Sequence, residues 1–233
     1  MKTIILAGGL GSRIAEETEA KPKPMVLIDD KPILWHVMNI YASQGFDEFI
    51  IATGYKGEVI EEWVENLKSS WSISVVDTGS DTQTGGRIKK CMETVVNERV
   101  LATYGDGLAN VNINQLLDFH NQQGRMATVT AVRPPARFGV LESLNGLVTH
   151  FAEKTQSDAG WINGGFFVLE PNVSDLILDS SEPLESGALS RLVQQKQLSS
   201  YHHEGFWHPM DTLREKQVLA ELAKENTPPW TNI

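Results

Sequence analysis

Thr3-Ile4-Ile5-Leu6-Ala7-Gly8-Gly9-Leu10-Gly11-Ser12-Arg13 is the stretch that decides the fold. Its β-branched and apolar start reads as a buried strand, and the glycines that follow end it in a turn. A strand running into glycines presents backbone N–H groups at one sheet edge, where missing Cβ atoms let phosphate oxygens approach closely. Two better-known glycine patterns fail on inspection. The dinucleotide fingerprint G-x-G-x-x-G, started at Gly9, needs a glycine where Ile14 stands. The pattern G-x-x-x-x-G-K-[ST] needs a lysine after a glycine, and none follows Gly8, Gly9 or Gly11. In place of that lysine stand Arg13 and Lys21-Pro22-Lys23-Pro24, whose prolines fix where the lysines point.

Outward from this stretch, strand and helix signals alternate. Residues 32–44 read as a helix, with Ile33, Leu34, Val37, Met38 and Tyr41 on one side and Gly45 as a stop. Residues 49–53, 73–77, 100–104 and 126–132 read as strands. Residues 58–68, 86–97 and 112–123 read as helices, the last with an Asn112 cap and a Gly124 stop. Strands joined by helical crossovers imply an α/β fold with a mainly parallel sheet covered on both faces. The second half is richer in strands, at 140–144, 147–152 and 162–169, with Asn145-Gly146 as a hairpin turn. Helices are expected near 172–178 and 187–195, and a last one over 213–224.

Composition excludes several classes. A net charge of -10 argues against nucleic acid or an anionic membrane as the main partner. No apolar run approaches the roughly 20 residues that span a bilayer. Residues 1–7 have the look of a short signal peptide, but glycines and an arginine follow without a small-residue cleavage pattern. A first strand and a cytoplasmic location are the expectation. The single Cys91 fits a reducing compartment and packs in a helical pattern with Ile88, Met92 and Val95. The six histidines lack metal-site spacing and read as structural. Trp35, Trp63 and Trp71 read as core or interface, whereas Trp161 and Trp207 face either a ligand or the core.

Three further segments carry chemistry. Tyr104-Gly105-Asp106-Gly107 follows a buried strand, so Asp106 lies at the carboxyl edge of the sheet, where open α/β sheets bind ligands. A carboxylate there suits Mg²⁺, which takes one or two protein carboxylates and completes its sphere with phosphate oxygens and water. Asp211, in Phe206-Trp207-His208-Pro209-Met210-Asp211-Thr212, is either a second such ligand or the N-cap of the last helix. The polar run 77–87 ends in Arg87, a bidentate donor able to read a base carbonyl.

Residues 6–13, 21–25, 104–107, 161–167 and 205–214 together resemble the sugar-phosphate nucleotidyltransferases, in order and over nearly the whole chain. Thr84-Gly85-Gly86-Arg87 and Phe206-Trp207-His208-Pro209-Met210-Asp211-Thr212 are most similar to the glucose-1-phosphate cytidylyltransferase branch. The resemblance implies a Rossmann-like three-layer nucleotidyltransferase fold with a small β-rich sugar-binding addition. It implies one domain over 1–233, with a nucleotide-binding half over about 1–133 and a sugar- and metal-completing half over about 134–233. The implied reaction joins CTP to a sugar 1-phosphate, α-D-glucose 1-phosphate foremost, giving a CDP-sugar and pyrophosphate. Leu6, Ala7, Gly8, Gly9, Leu10, Gly11, Ser12 and Arg13 would hold the nucleotide, and Lys23 its phosphates. Thr82 and Arg87 would lie beside the base and Gly105 near the ribose. Arg13, Lys23 and Asp106 would carry catalysis, Asp106 and Asp211 would hold Mg²⁺, and Glu153, Lys154, Asn163 and Gly164 would face the hexose. A homo-oligomer is expected. Two departures stand out: the interval between Gly57 and Asp77 is short for the family, and Glu153-Lys154-Thr155-Gln156 replaces its Glu-Lys-Pro-Lys. The same chemistry on another sugar 1-phosphate or phosphorylated alcohol, or with UTP or dTTP, therefore stays open.

Overall fold

The computed structural model describes residues 1–11, 14–135, 139–153 and 160–233, with side chains except at 15, 16, 139–142 and 150–153. The chain begins with β1 (Thr3–Leu6), α1 (Ala15–Thr18), the short pair β2 (Leu27–Ile28) and β3 (Lys31–Pro32), and α2 (Ile33–Ala42). There follow β4 (Glu48–Thr53), α3 (Gly57–Asn66), β5 (Ser72–Asp77), α4 (Thr84–Glu93), β6 (Val100–Tyr104), β7 (Gly107–Ala109), α5 (Ile113–Gln123) and β8 (Ala127–Val132). The second half adds β9 (Gly139–Leu144), β10 (Leu147–Glu153), β11 (Ile162–Asn163), β12 (Phe167–Leu169), α6 (Ser190–Gln194), β13 (Leu198–His203), β14 (Trp207–Pro209) and α7 (Leu213–Ala223).

The main sheet runs β5-β4-β1-β6-β12-β8, with β11 following β12 along one side of β8 and β13 along the other. The pairings β5–β4, β4–β1, β1–β6 and β8–β13 are parallel, and only β11 and β12 run against them. From β1 the chain winds outward through β4 and β5, then returns to β6 on the other side of β1. That reversal opens a crevice at the carboxyl ends of β1 and β6.

Alternation along each strand builds the two covered faces. Ile5, Phe49, Ile51 and Leu101 point to one core, against Leu34, Val37, Met38 and Tyr41 of α2. Ile4, Ile50, Ala52 and Ala102 point to the other, against Ile88, Cys91 and Met92 of α4. Cys91 is a packing residue, and burial pushes its thiol up to about 12. The Asn112 side chain accepts from Gln115 N at 2.9 Å to start α5, and Gly124 ends it in the left-handed region. Asn145 and Gly146, both at positive φ, turn the β9–β10 hairpin as the sequence predicts.

Some expectations need correction. α4 starts at Thr84, before the predicted 86, and stops at Glu93, where the Thr94 hydroxyl bonds back to Cys91 O and Asn97 takes positive φ. The predicted helices near 172–178 and 187–195 are a 3₁₀ stretch, Pro171–Leu176, and a π turn, Glu185–Leu189, leading into α6. Apart from these, β12 of the second half sits between β6 and β8 of the first. Between Gly57 and Asp77 there is only α3, a loop and β5, with no projecting segment. Among the described residues, no helix is long and apolar enough to cross a membrane.

Candidate active site

The crevice between β1 and β6 holds a cavity of about 410 Å³. One wall is the glycine-rich turn after β1, the floor is Tyr104, Gly105 and Asp106 at the end of β6, and the opposite wall is Ser80, Thr82, Gln83, Thr84 and Arg87 around the start of α4. Three glycines are explained by close packing. Gly105 N donates to Leu6 O at 3.0 Å, and a Cβ on Gly105 would stand 2.9 Å from that oxygen. Gly11 has φ of +64°, and a Cβ there would crowd Lys23 and Thr18 at 3.0 Å. A Cβ on Gly8 would stand 2.1 Å from the Arg87 guanidinium. By contrast, Gly9 faces open space.

The charged centre is a lysine held by two carboxylates. Pro22 and Pro24 confine Lys23 to a 3₁₀ turn, where its side chain is almost fully buried. Its Nζ donates to Asp106 Oδ2 at 2.6 Å and to Asp211 Oδ1 at 2.6 Å. Burial works against the ammonium, yet the two carboxylates more than offset it, so Lys23 stays charged above its ordinary pKa. β7 and β14 bring the acids together: Pro209 pairs with Gly107, and Met210 N donates to Asp106 O at 2.8 Å.

The two readings of Asp211 are resolved by a capping box. Thr212 is the N-cap of α7, its hydroxyl accepting from Glu215 N while Glu215 Oε2 accepts from Asp211 N and Thr212 N. Asp211 therefore keeps its carboxylate for Lys23. Two carboxylates 2.6 Å from one cationic nitrogen form a donor set that suits Mg²⁺. No group of three or more His, Cys, Asp or Glu among the described residues could hold a metal, so further oxygens would come from a phosphorylated ligand.

Arg87 lines the cavity and is held by several hydrogen bonds of its own. Its Nη1 donates to Thr53 O at 2.8 Å and to Thr78 Oγ1, and its Nη2 to Gly8 O at 2.9 Å and Ser80 O at 3.3 Å. These bonds tie three loops together around the cavity. Burial also lowers its pKa. Thr82 does stand on the cavity wall, its hydroxyl bonded to Thr78 O.

On the sugar side, Asn163 is exposed and its amide bonds the Tyr104 oxygen. Gly164 is buried, its N–H donates to Thr130 O at 2.9 Å, and its carbonyl accepts from Trp207 Nε1 at 2.9 Å. Trp161 is stacked on His202 at 4.2 Å with Arg133 over its ring, so it reinforces the sheet edge. Ser12, Arg13 and Lys154 lie outside the described residues, as does the Glu153 side chain. Ser80, Gln83 and Thr84 belong to the cavity wall without having been singled out as site residues.

A larger cavity, about 820 Å³, lies at the amino ends of the strands around Arg99, His120 and Glu170. Arg99 and His120 both bond Glu170 Oε1, and His120 Nδ1 meets Thr128 Oγ1 at 2.8 Å. The Arg99, His120 and Glu170 side chains are bonded to one another, and His120 is structural as expected.

A family model described as nucleotidyl transferase matches residues 2–212. The chain belongs to the nucleotidyl transferase family. It is 46% identical over 253 aligned positions to glucose-1-phosphate cytidylyltransferase of Salmonella typhimurium, covering 99% of this chain and 98% of that protein. It is 40% identical over 252 positions to the probable glucose-1-phosphate cytidylyltransferase of Bacillus subtilis, covering 99% of each. An alignment of 253 positions against 233 residues leaves at least 20 positions of the Salmonella protein without a counterpart, in keeping with a shortened chain. Among solved structures, HddC from Yersinia pseudotuberculosis complexed with GMP-PN superposes with a TM-score of 0.76 at 21% identity, covering 96% of this chain and 99% of that one. The nucleotidyltransferase fold expected from the sequence is the fold observed.

Proposed function

We propose that this enzyme transfers a cytidylyl group from CTP to a sugar 1-phosphate, α-D-glucose 1-phosphate, giving CDP-glucose and pyrophosphate. The observation that carries the reading is the Lys23–Asp106–Asp211 cluster at the mouth of the glycine-rich turn. The near-full-length similarity to glucose-1-phosphate cytidylyltransferases supports the choice of nucleotide and sugar.

The reaction needs no protein nucleophile. A phosphate oxygen of the sugar 1-phosphate attacks the α-phosphorus of CTP, a new P–O bond forms, and the bond to the β-phosphate breaks to release pyrophosphate. A phosphomonoester with a second pKa of about 6 is already largely a dianion at neutral pH, so no general base is required. The protein must relieve repulsion between two anions and hold them in line. Residues 6–13 would cradle the triphosphate with backbone N–H groups, Arg13 and Lys23 taking the charge that gathers on the leaving pyrophosphate. Thr82 and Arg87 would lie beside the base and Gly105 near the ribose, with Arg87 also holding the loops around them. Glu153, Lys154, Asn163 and Gly164 would face the hexose. Asp106 and Asp211 would hold Mg²⁺, which when bound draws charge from the reacting phosphates. We include in this reading a homo-oligomer in the cytoplasm.

The replacement of Glu-Lys-Pro-Lys by Glu153-Lys154-Thr155-Gln156 is the one feature favouring a different sugar 1-phosphate. The test is pyrophosphate release across four NTPs and a panel of sugar 1-phosphates, with and without Mg²⁺. Release with CTP and glucose 1-phosphate, dependent on Mg²⁺, is expected. Release with UTP or dTTP alone would overturn the cytidylyl assignment, and silence throughout would remove the transferase reading.

A further inference from the structure

The sugar wall and the nucleotide wall are joined by a chain of side-chain hydrogen bonds. The Tyr104 hydroxyl donates to Glu185 Oε1. The other carboxylate oxygen, Oε2, accepts from Thr84 Oγ1 at 2.9 Å, and Thr84 Oγ1 in turn accepts from Leu184 N at 2.8 Å. On the other side, Asn163 Nδ2 donates to the Tyr104 oxygen at 3.0 Å. Glu185 begins the π turn Glu185–Leu189, a rare geometry that recurs at functional sites.

A donor and acceptor count shows what this chain fixes. Asn163 Oδ1 accepts from Gly165 N at 2.9 Å, so a flipped amide would set its NH₂ against a backbone N–H. Tyr104 has one O–H. Giving it to Glu185 leaves the phenol oxygen as an acceptor, which is what Asn163 Nδ2 needs. Asn163 then has one N–H and one lone pair left over, pointing from an exposed position beside the site. Burial, followed by the neighbouring Glu185, raises the Tyr104 pKa, so the phenol keeps its proton at all ordinary pH values.

We infer that Glu185 and Tyr104 are positioning residues that lock the Asn163 amide in one orientation and thereby select the hydroxyl pattern of the sugar 1-phosphate. The inference rests on the proposed transferase reading. Neither residue touches the reacting phosphates. They act through Asn163, and the link to Thr84 anchors the same carboxylate to the wall that faces the nucleotide.

The experiment is steady-state kinetics of Tyr104→Phe, Glu185→Ala and Glu185→Gln, with CTP and each of a panel of hexose 1-phosphates varied separately. Tyr104→Phe and Glu185→Ala should raise KM for the preferred sugar 1-phosphate about tenfold, the size of one lost hydrogen bond, and narrow discrimination among hexoses. KM for CTP should change much less than KM for the sugar 1-phosphate, because on the nucleotide side only Thr84 loses an acceptor, and only in Glu185→Ala. Glu185→Gln keeps an acceptor for the phenol and should recover most of the loss. Equal changes in both KM values, or unchanged sugar discrimination, would overturn the inference while an active wild type left the transferase reading standing. A wild type inactive on every substrate pair would overturn both.

Discussion

Two cavities carry cation–carboxylate clusters, and the larger is the less informative. Around Arg99 a single carboxylate, Glu170, is shared by an arginine and a histidine, with Asn121 and Thr128 taking their remaining nitrogens. Around Lys23 one cation is shared by two carboxylates, one between β6 and β7 and the other between β14 and α7. The first cluster ties one carboxylate to an arginine and a histidine; the second gathers two carboxylates on one ammonium beside the cavity below the glycine-rich turn. Position separates them as well. The Lys23 cluster lies at the carboxyl ends of β1 and β6, where the strand order reverses, and the Arg99 cluster lies at the opposite edge. Position at a topological switch point marks the site better than volume does.

The comparison is most sharply tested by removing charge. Asp106→Asn or Lys23→Ala should lower kcat at least about 100-fold, the scale for losing one charge-stabilising group. Stopped assays on folded protein, verified by circular dichroism, check this, and full activity in either variant would take that residue out of the mechanism. Next in size is Gly8→Ala, which forces a Cβ toward the Arg87 guanidinium and the Thr53 backbone. Overpacking of this kind costs about 1–3 kcal/mol, readable by urea denaturation. A Gly8→Ala protein as stable as wild type would show that Arg87 is not wedged between the loops.

Acid should weaken the fold through buried imidazoles. Burial lowers the pKa of His36, His120 and His203, so near their ordinary value of about 6.5 the unfolded chain binds more protons than the folded one. These histidines therefore make stability rise with pH across that window and fall as pH drops from about 7 toward 5. Unfolding free energies measured across the range should decline on acidification, and a fold that gains stability over it would contradict the burial. The smallest effect expected is for Arg99→Ala. A part-exposed ion pair is worth about 0–1 kcal/mol, and turnover should stay unchanged.

The parts of the site legible in sequence are those coded by contiguous residues. The glycines after β1, the prolines around Lys23 and the Gly-Asp-Gly after β6 each dictate their own backbone. Asp211 was half legible, because a carboxylate just before a helix serves equally as cap or ligand. Only the Thr212–Glu215 box, with Asp211 against Lys23, separates the two. The bonds of Arg87 were not legible, because its partners, Gly8 O and Thr53 O, lie far back along the chain and no local pattern reports where a guanidinium will dock. The bond from Trp207 to the Gly164 carbonyl was hidden for the same reason. Strand order was equally hidden: Phe167–Leu169 has the apolar content of any buried strand, and nothing in three residues says that it inserts antiparallel between β6 and β8. Glu185 lies 101 positions from Thr84 and 81 from Tyr104, beyond the reach of spacing arguments.

Equilibrium binding of CTP in the presence of Mg²⁺, followed by calorimetry in wild type, Lys23→Ala and Arg99→Ala, tests most directly which cavity holds the nucleotide. Affinity at least about tenfold weaker in Lys23→Ala, with Arg99→Ala indistinguishable from wild type, is the predicted result. Loss of binding in Arg99→Ala with Lys23→Ala unaffected would contradict the account and move the site to the other edge of the sheet.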